Sequence, residues 1–162
     1  MIRKVTPKDA KAITDIYNYY VRTSVATLEE NEVSEKYFTD QINEVTQKFP
    51  WFVYEVNNEI IGFANASAWK TRSGYKKSVQ LTIYLSPNTT SKGIGSLLYE
   101  SVINELQKLD VHILMGGISL PNDASVRLHE KFGFVKSAHF KEIGYKFNNW
   151  VDVGYWQLVL KK

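Results

Sequence analysis

Val111 to Ile118 is a nearly continuous apolar run, the pattern of a strand buried on both faces of a sheet. Such a strand needs cover from both sides, so the remainder of the chain must supply helices as well as further strands. Ile2 to Val5 reads as a short first strand. Thr6-Pro7-Lys8-Asp9 is then a helix start, with Thr6 as cap, Pro7 in the first turn and Asp9 closing the box. Ala10, Ile13, Ile16, Tyr17, Tyr20 and Val21 follow at helical spacing, and a second helix opens near Ser34, carries Phe38, Ile42, Val45 and Phe49 on one stripe, and stops at Pro50.

Trp51 to Val56 and Glu59 to Ala68 are strand-like runs joined by Asn57-Asn58, residues that tolerate the positive φ of a tight turn. Trp69 to Lys77 is a polar loop, and Ser78 to Leu85 alternates as a strand. Gly93-Ile94-Gly95 opens a long amphipathic helix, and Pro121-Asn122-Asp123 starts a shorter one that Gly133 ends. Phe134 to Phe147 and Val153 to Leu160 read as the last strands. With no linker, repeat or low-complexity segment, the expectation is one α+β domain over residues 1–162 with a mixed sheet.

Composition removes several functions. The absence of cysteine excludes disulfides, thiolate metal sites and cysteine nucleophiles. His112, His129 and His139 lack metal-ligand spacing, so no metal is expected. A net charge of +3, from 20 basic and 17 acidic residues, is too mild and dispersed for a nucleic-acid partner. Met1 to Val5 turns polar at once and no apolar run nears ~18 residues, so a cytoplasmic protein without a membrane partner is expected.

Two segments could carry chemistry. Thr90-Ser91-Lys92-Gly93-Ile94-Gly95 lies between a strand and a long helix, where small residues and free helix amides favour a pyrophosphate. Spacing alone leaves ligand binding and packing equally open, because glycines open helices for packing too. The segment is not a full dinucleotide fingerprint, since Leu98 stands where the third glycine belongs. Asn122-Asp123-Ala124-Ser125 is most simply a helix cap. His129 follows Ser125 by four residues and Asn122 by seven, which puts the three on one helix face directed at the preceding strand's end.

Strand, Gly-x-Gly, helix, then strand, Asn-x-x-Ser, helix and Lys-x-Gly-Phe resembles the acetyl-CoA site of the GNAT superfamily of N-acetyltransferases. The likeness extends along the chain and is strongest to phosphinothricin and methionine sulfoximine N-acetyltransferases. It is carried by Ile16-Tyr17-Asn18, Ser24 to Leu28, Pro50-Trp51-Phe52-Val53, Tyr75, Tyr84 with Ser86-Pro87, Leu120 to Glu130, Lys146 with Asn149 to Val153, and Trp156-Gln157-Leu158.

The resemblance implies a mainly antiparallel central sheet flanked by helices, with an acetyl-CoA cleft where two central strands splay. It implies that the backbone of Ile83, Tyr84 and Leu85 pairs with the pantetheine arm, that Ser91, Lys92, Gly93, Ile94, Gly95 and Ser96 form the pyrophosphate loop, and that Asn122 and Ser125 guide the pantetheine. Lys70, Thr71, Arg72, Gln80, Leu81 and Thr82, with Tyr75 nearby, match the wall for a small amino-acid acceptor. Gln80 stands where that subfamily has a glutamate base, and Leu28 where an aromatic residue is common. His129 and Tyr84 match positions for the acid that returns a proton to the thiolate, and a homodimer is implied. The rival readings are an acetyltransferase for a different amine and a catalytically impaired acetyl-CoA-binding protein, since an amide at Gln80 takes up no proton at neutral pH.

Overall fold

The computed structural model describes residues 1–89 and 93–161. Its strands are β1 (Ile2–Lys4), β2 (Trp51–Val56), β3 (Glu59–Ala68), β4 (Ser78–Leu85), β5 (Ile113–Leu120), β6 (Val135–Lys146) and β7 (Asn149–Val159); its α-helices are α1 (Ala10–Thr23), α2 (Glu35–Val45), α3 (Ile94–Leu106) and α4 (Asp123–Lys131). The sheet order is β1-β2-β3-β4-β5-β7-β6. The β4–β5 pair is parallel, whereas β1–β2, β2–β3, β5–β7 and β6–β7 are antiparallel. This is the mixed, mainly antiparallel α+β architecture expected. The chain forms two compact units, 1–19 with 33–67 and 82–110, and 20–32 with 68–81 and 111–162.

In the first unit the apolar stripes of α1 and α2 are buried through Ala10, Ile13, Phe38 and Ile42. Phe38 meets Tyr17, Trp51 and Phe63 edge-on, with centroids 5.4, 6.3 and 6.2 Å apart, a favoured aromatic geometry. Ser34 caps α2 by accepting the Tyr37 N–H (3.1 Å), and Asn57 and Asn58 take the positive φ of the β2–β3 turn. The expected start of α1 is present in a tighter form. Pro7–Asp9 is a 3-10 turn, and the Asp9 carboxylate accepts the Thr6 N–H (2.8 Å).

In the second unit the sequence expectation needs three corrections. β5 begins at Ile113 rather than Val111, because the amides of His112 and Ile113 both turn to the Lys77 carbonyl (2.8 and 3.1 Å). It is also not buried on both faces: Leu114, Gly116 and Ile118 are buried, but Gly117 between them is exposed. Finally, β7 starts at Asn149, not Val153. Phe147 and Asn148 form a two-residue turn at φ 53° and 59°, a hairpin geometry usually written with glycine. A register shift between Phe140 and Gly144, with Glu142 at φ 54°, bends edge strand β6.

Arg3 joins the start of the chain to β2 by donating to both Asp9 oxygens (2.8 and 2.9 Å) and to Glu55 (2.8 Å). Burial pushes the Asp9 carboxyl up, but hydrogen bonds from Arg3 and Thr6 outweigh it and hold the pKa below its ordinary 3.8. Its stabilising contribution is complete above that value and disappears as pH falls through the depressed one. Arg3→Met is expected to cost about 2 kcal/mol at pH 7, read from urea midpoints. The gap to wild type should close in strong acid.

Candidate active site

In the first unit, the end of β4 carries Ile83, Tyr84 and Leu85, all half-buried. The Tyr84 ring lies edge-on to Tyr17 (5.3 Å) and tilted on Phe63 (5.8 Å). Gly62 of β3 lets Leu85 sit close, since a Cβ there would lie 2.6 Å from Leu85 Cδ2. Thr90, Ser91 and Lys92 lie outside the described residues. Gly93 follows at φ 78° as the N-cap of α3, with open space where a Cβ would project. Glycine is therefore required there by the left-handed backbone itself. Ile94 is buried, and Gly95 and Ser96 follow in a first turn that carries no acidic residue of its own, at the positive end of the helix dipole.

In the second unit, Gln80 pairs with Met115 in the parallel ladder, and β5 continues as Gly116-Gly117. Gly117 opposes Tyr155 of β7. A Cβ on Gly117 would meet Tyr155 Cε1 at 3.0 Å and Gln80 Nε2 at 3.5 Å, so the missing side chain leaves a floor between the amide and the phenol ring. Trp69 and Phe140 flank Tyr155 edge-on, at 5.2 and 5.9 Å. Lys70 Nζ lies 4.9 Å from the Trp69 ring centroid, a cation–π distance.

The other predicted acceptor residues fall in three groups. Lys70, Thr71, Arg72 and Tyr75 are exposed around a 3-10 turn at Ser73–Tyr75. Leu81 is 4% exposed and belongs to the core, so only its backbone is available to an acceptor. Thr82, like Gln80, alternates to the other side of β4. Sequence reasoning passed over Phe140 and Tyr155, because aromatic residues in strands read first as core, and over Trp69 and Gly117, which lie in a polar loop and an apolar strand. The signal was the glycine pair inside an apolar strand, which marks a close approach.

On the opposite face of β5, α4 carries the Asn–Ser–His set. Asn122 Oδ1 accepts the Ser125 N–H (3.2 Å), the helix cap expected of it. His129 is 2% exposed, and its Nδ1–H donates to the Ser125 carbonyl (2.7 Å). The acceptor being a carbonyl, Nδ1 must carry the proton. Its ring is seated on Gly116, where a Cβ would lie 2.3 Å from Nε2, and meets Phe134 edge-on at 5.2 Å. Burial pushes the His129 pKa below its ordinary 6.5 against the opposing hydrogen bond. The imidazole is therefore neutral at pH 7 and commits its proton to the backbone, which ill suits a general acid. Among the described residues no three His, Asp or Glu side chains gather as a metal site.

Residues 2–154 match the model of the acetyltransferase (GNAT) domain. The chain is 35% identical over 156 residues to the phosphinothricin N-acetyltransferase of Streptomyces viridochromogenes, covering 96% of this chain and 85% of that protein. It is 32% identical to the L-methionine sulfoximine/L-methionine sulfone acetyltransferase of Salmonella typhimurium, covering 98% and 94%. Its structure superposes, with a TM-score of 0.95 and 31% identity, on a GNAT superfamily phosphinothricin acetyltransferase from Sinorhizobium meliloti in complex with AcCoA, covering 99% and 88%.

The buried neutral histidine sets a pH dependence of stability. Below 6.5 the unfolded chain binds a proton that the folded His129 does not, so stability falls as pH is lowered through that value. Urea midpoints from about pH 8 to about pH 5 should show this decline in wild type and a flatter curve in His129→Gln. Gly116→Ala should cost about 1–3 kcal/mol at any pH in that range through the clash with the ring.

Proposed function

The chain belongs to the GNAT acetyltransferase family and is an acetyl-CoA-dependent N-acetyltransferase; we propose that its acceptor is the amine of a small amino acid of the phosphinothricin or methionine sulfoximine type. The observation that carries the reading is the Gln80 face of β4, β5 and β7. There an amide, a glycine floor and the rings of Tyr155 and Trp69 stand beside a lysine. Lys70 and Arg72 would pair with the carboxylate and the phosphinate or sulfoximine group of such an acceptor.

In this reading the neutral amine attacks the thioester carbonyl directly. The N–C bond forms, the C–S bond breaks, the ammonium proton passes to solvent, and the departing thiolate takes a proton. Backbone groups of Ile83, Tyr84 and Leu85 would hold the carbonyl and its developing oxyanion. Ser91 to Ser96 would hold the pyrophosphate, and Asn122 and Ser125 would guide the pantetheine. Gln80 Oε1 would accept a hydrogen bond from the amine and orient it, without taking the proton. Tyr84 is the better acid of the two candidates, because the His129 proton is already given to Ser125. We also read residues 1–162 as one domain, because the family match spans both compact units, and we place the protein in the cytoplasm.

Without a carboxylate base the rate should track the acceptor's own titration and rise toward about pH 9. Gln80→Glu should raise the rate at pH 7 by about 10²–10⁴-fold, the usual contribution of a positioned base. Steady-state rates with phosphinothricin, methionine sulfoximine and other amines, each across pH, check both. A wild-type profile with its limb near about pH 6.5 would assign the base to another group. Acetyl-CoA binding without transfer to any amine would favour an impaired, binding-only protein.

The assembly we propose is a homodimer through the outer hairpin. Ile143, Tyr145 and Trp150 are 63%, 49% and 66% exposed, and the Tyr145 and Trp150 rings lie 4.8 Å apart, tilted by 57°, a larger group of apolar side chains than a solvent-facing edge strand needs. Sedimentation at micromolar concentration should give a dimer for wild type and a monomer for Trp150→Glu. A wild-type monomer would end this reading.

A further inference from the structure

Lys146, the last residue of β6, is only 2% exposed, and its partners are main-chain oxygens rather than carboxylates. Its three N–H donors meet three carbonyls at the end of α1 and in the loop beyond: Ser24 at 2.6 Å, Thr27 at 2.8 Å and Tyr20 at 3.4 Å. The ammonium sits 5.0 Å from the Phe147 ring centroid. Burying a cation is costly unless all its donors are satisfied, and here they are spent on the last turn of α1 and the loop that follows it. Two residues earlier on β6, Gly144 makes room for that loop's Leu28, whose Cδ1 would lie 2.6 Å from a Cβ at Gly144.

The registers tell which face this is. Gln80 pairs with Met115, Gly117 with Tyr155, Tyr155 with Ala138, and Val151 with Gly144. Directly paired residues share a face and alternate residues along a strand return to it. Gly144, and with it Leu28, therefore lies on the same face as Gln80, Gly117 and Tyr155, opposite the face that His129 occupies.

We propose that Lys146 is a positioning residue for the acceptor: its buried ammonium clamps the Ser24–Thr27 backbone to β6 and so seats Leu28 over Gly144 on the Gln80 face, where it closes one side of the acceptor pocket. This rests on the Gln80 face being the acceptor site. Lys146 touches no reacting atom. It acts through Leu28, so its loss should weaken acceptor use while leaving acetyl-CoA binding alone.

The clamp and its role in acceptor use can be tested separately. Hydrogen exchange should show residues 24–28 losing protection in Lys146→Met, with the rest of the fold protected as in wild type. Unchanged protection would overturn the clamp whatever the enzyme's substrate. Kinetically, Gly144→Ala keeps Lys146 but displaces Leu28, so it stays informative should Lys146→Met fold poorly. Gly144→Ala should raise the acceptor KM about tenfold or more, with the acetyl-CoA KM within about twofold of wild type. In a Leu28→Ala background the same substitution should add nothing, since the colliding group is gone. Equal changes in both KM values, or full additivity of the two substitutions, would overturn the positioning role. Loss of loop protection in a protein that acetylates no amine would leave the clamp standing and remove the acceptor reading instead.

Discussion

Two adjacent residues without side chains, Gly116 and Gly117, control both faces of β5. Gly116 admits the His129 ring to a distance that any Cβ would forbid, and that contact seats α4 on the sheet. Gly117 points the other way and keeps the space between Gln80 and Tyr155 open. A side chain at the first would push the helix off, and one at the second would fill the space beside Gln80 and Tyr155. The strand pays in backbone entropy for having two glycines in its interior, and its long antiparallel ladder with β7 offsets that.

Three buried polar groups show three ways of meeting the same electrostatic demand. Asp9 stays ionised because Arg3 and the Thr6 amide supply hydrogen bonds to its charge. His129 stays neutral, since burial disfavours the imidazolium and one carbonyl satisfies its single N–H. Lys146 is drawn below its ordinary value by burial, against the pull of Glu30 and Glu29, and main-chain oxygens take its donors. The three act over different spans: Asp9 ties Arg3 to the turn at Pro7–Asp9, His129 ties one turn of α4 to the next, and Lys146 joins the loop after α1 to β6.

In the proposed reading of the site, the amide at position 80 gives this family member a particular chemical character. A carboxylate would both orient the amine and remove its proton; an amide orients only. Reaction would then depend on the fraction of acceptor that arrives neutral, and the protein's contribution would shift toward placement. A tightly seated wall would matter more in such an enzyme, which is how the proposed anchoring of Leu28 by β6 would bear on turnover.

Local patterns in the sequence were enough to define most elements. Apolar periodicity placed α1, α2 and α3, the Asn57-Asn58 turn placed the β2–β3 hairpin, and Asn122 announced the α4 cap it makes. The Gly-x-Gly and Asn-x-x-Ser spacing pointed to the family. These features depend on residues within a few positions of one another, so a linear reading can find them. The turn at Phe147-Asn148 escaped because Phe147, a bulky residue at positive φ, gives no turn signal and Asn148 alone was too weak a one. What only the tertiary structure decided was which side chains meet across the sheet: that Tyr155 stands over Gly117 beside Gln80, that His129 spends its proton on a backbone carbonyl, and that Lys146 reaches 119 to 126 residues back along the chain. Strand order and register bring those groups together, and both are outcomes of burying the whole core at once. No local stretch of the chain contains that information.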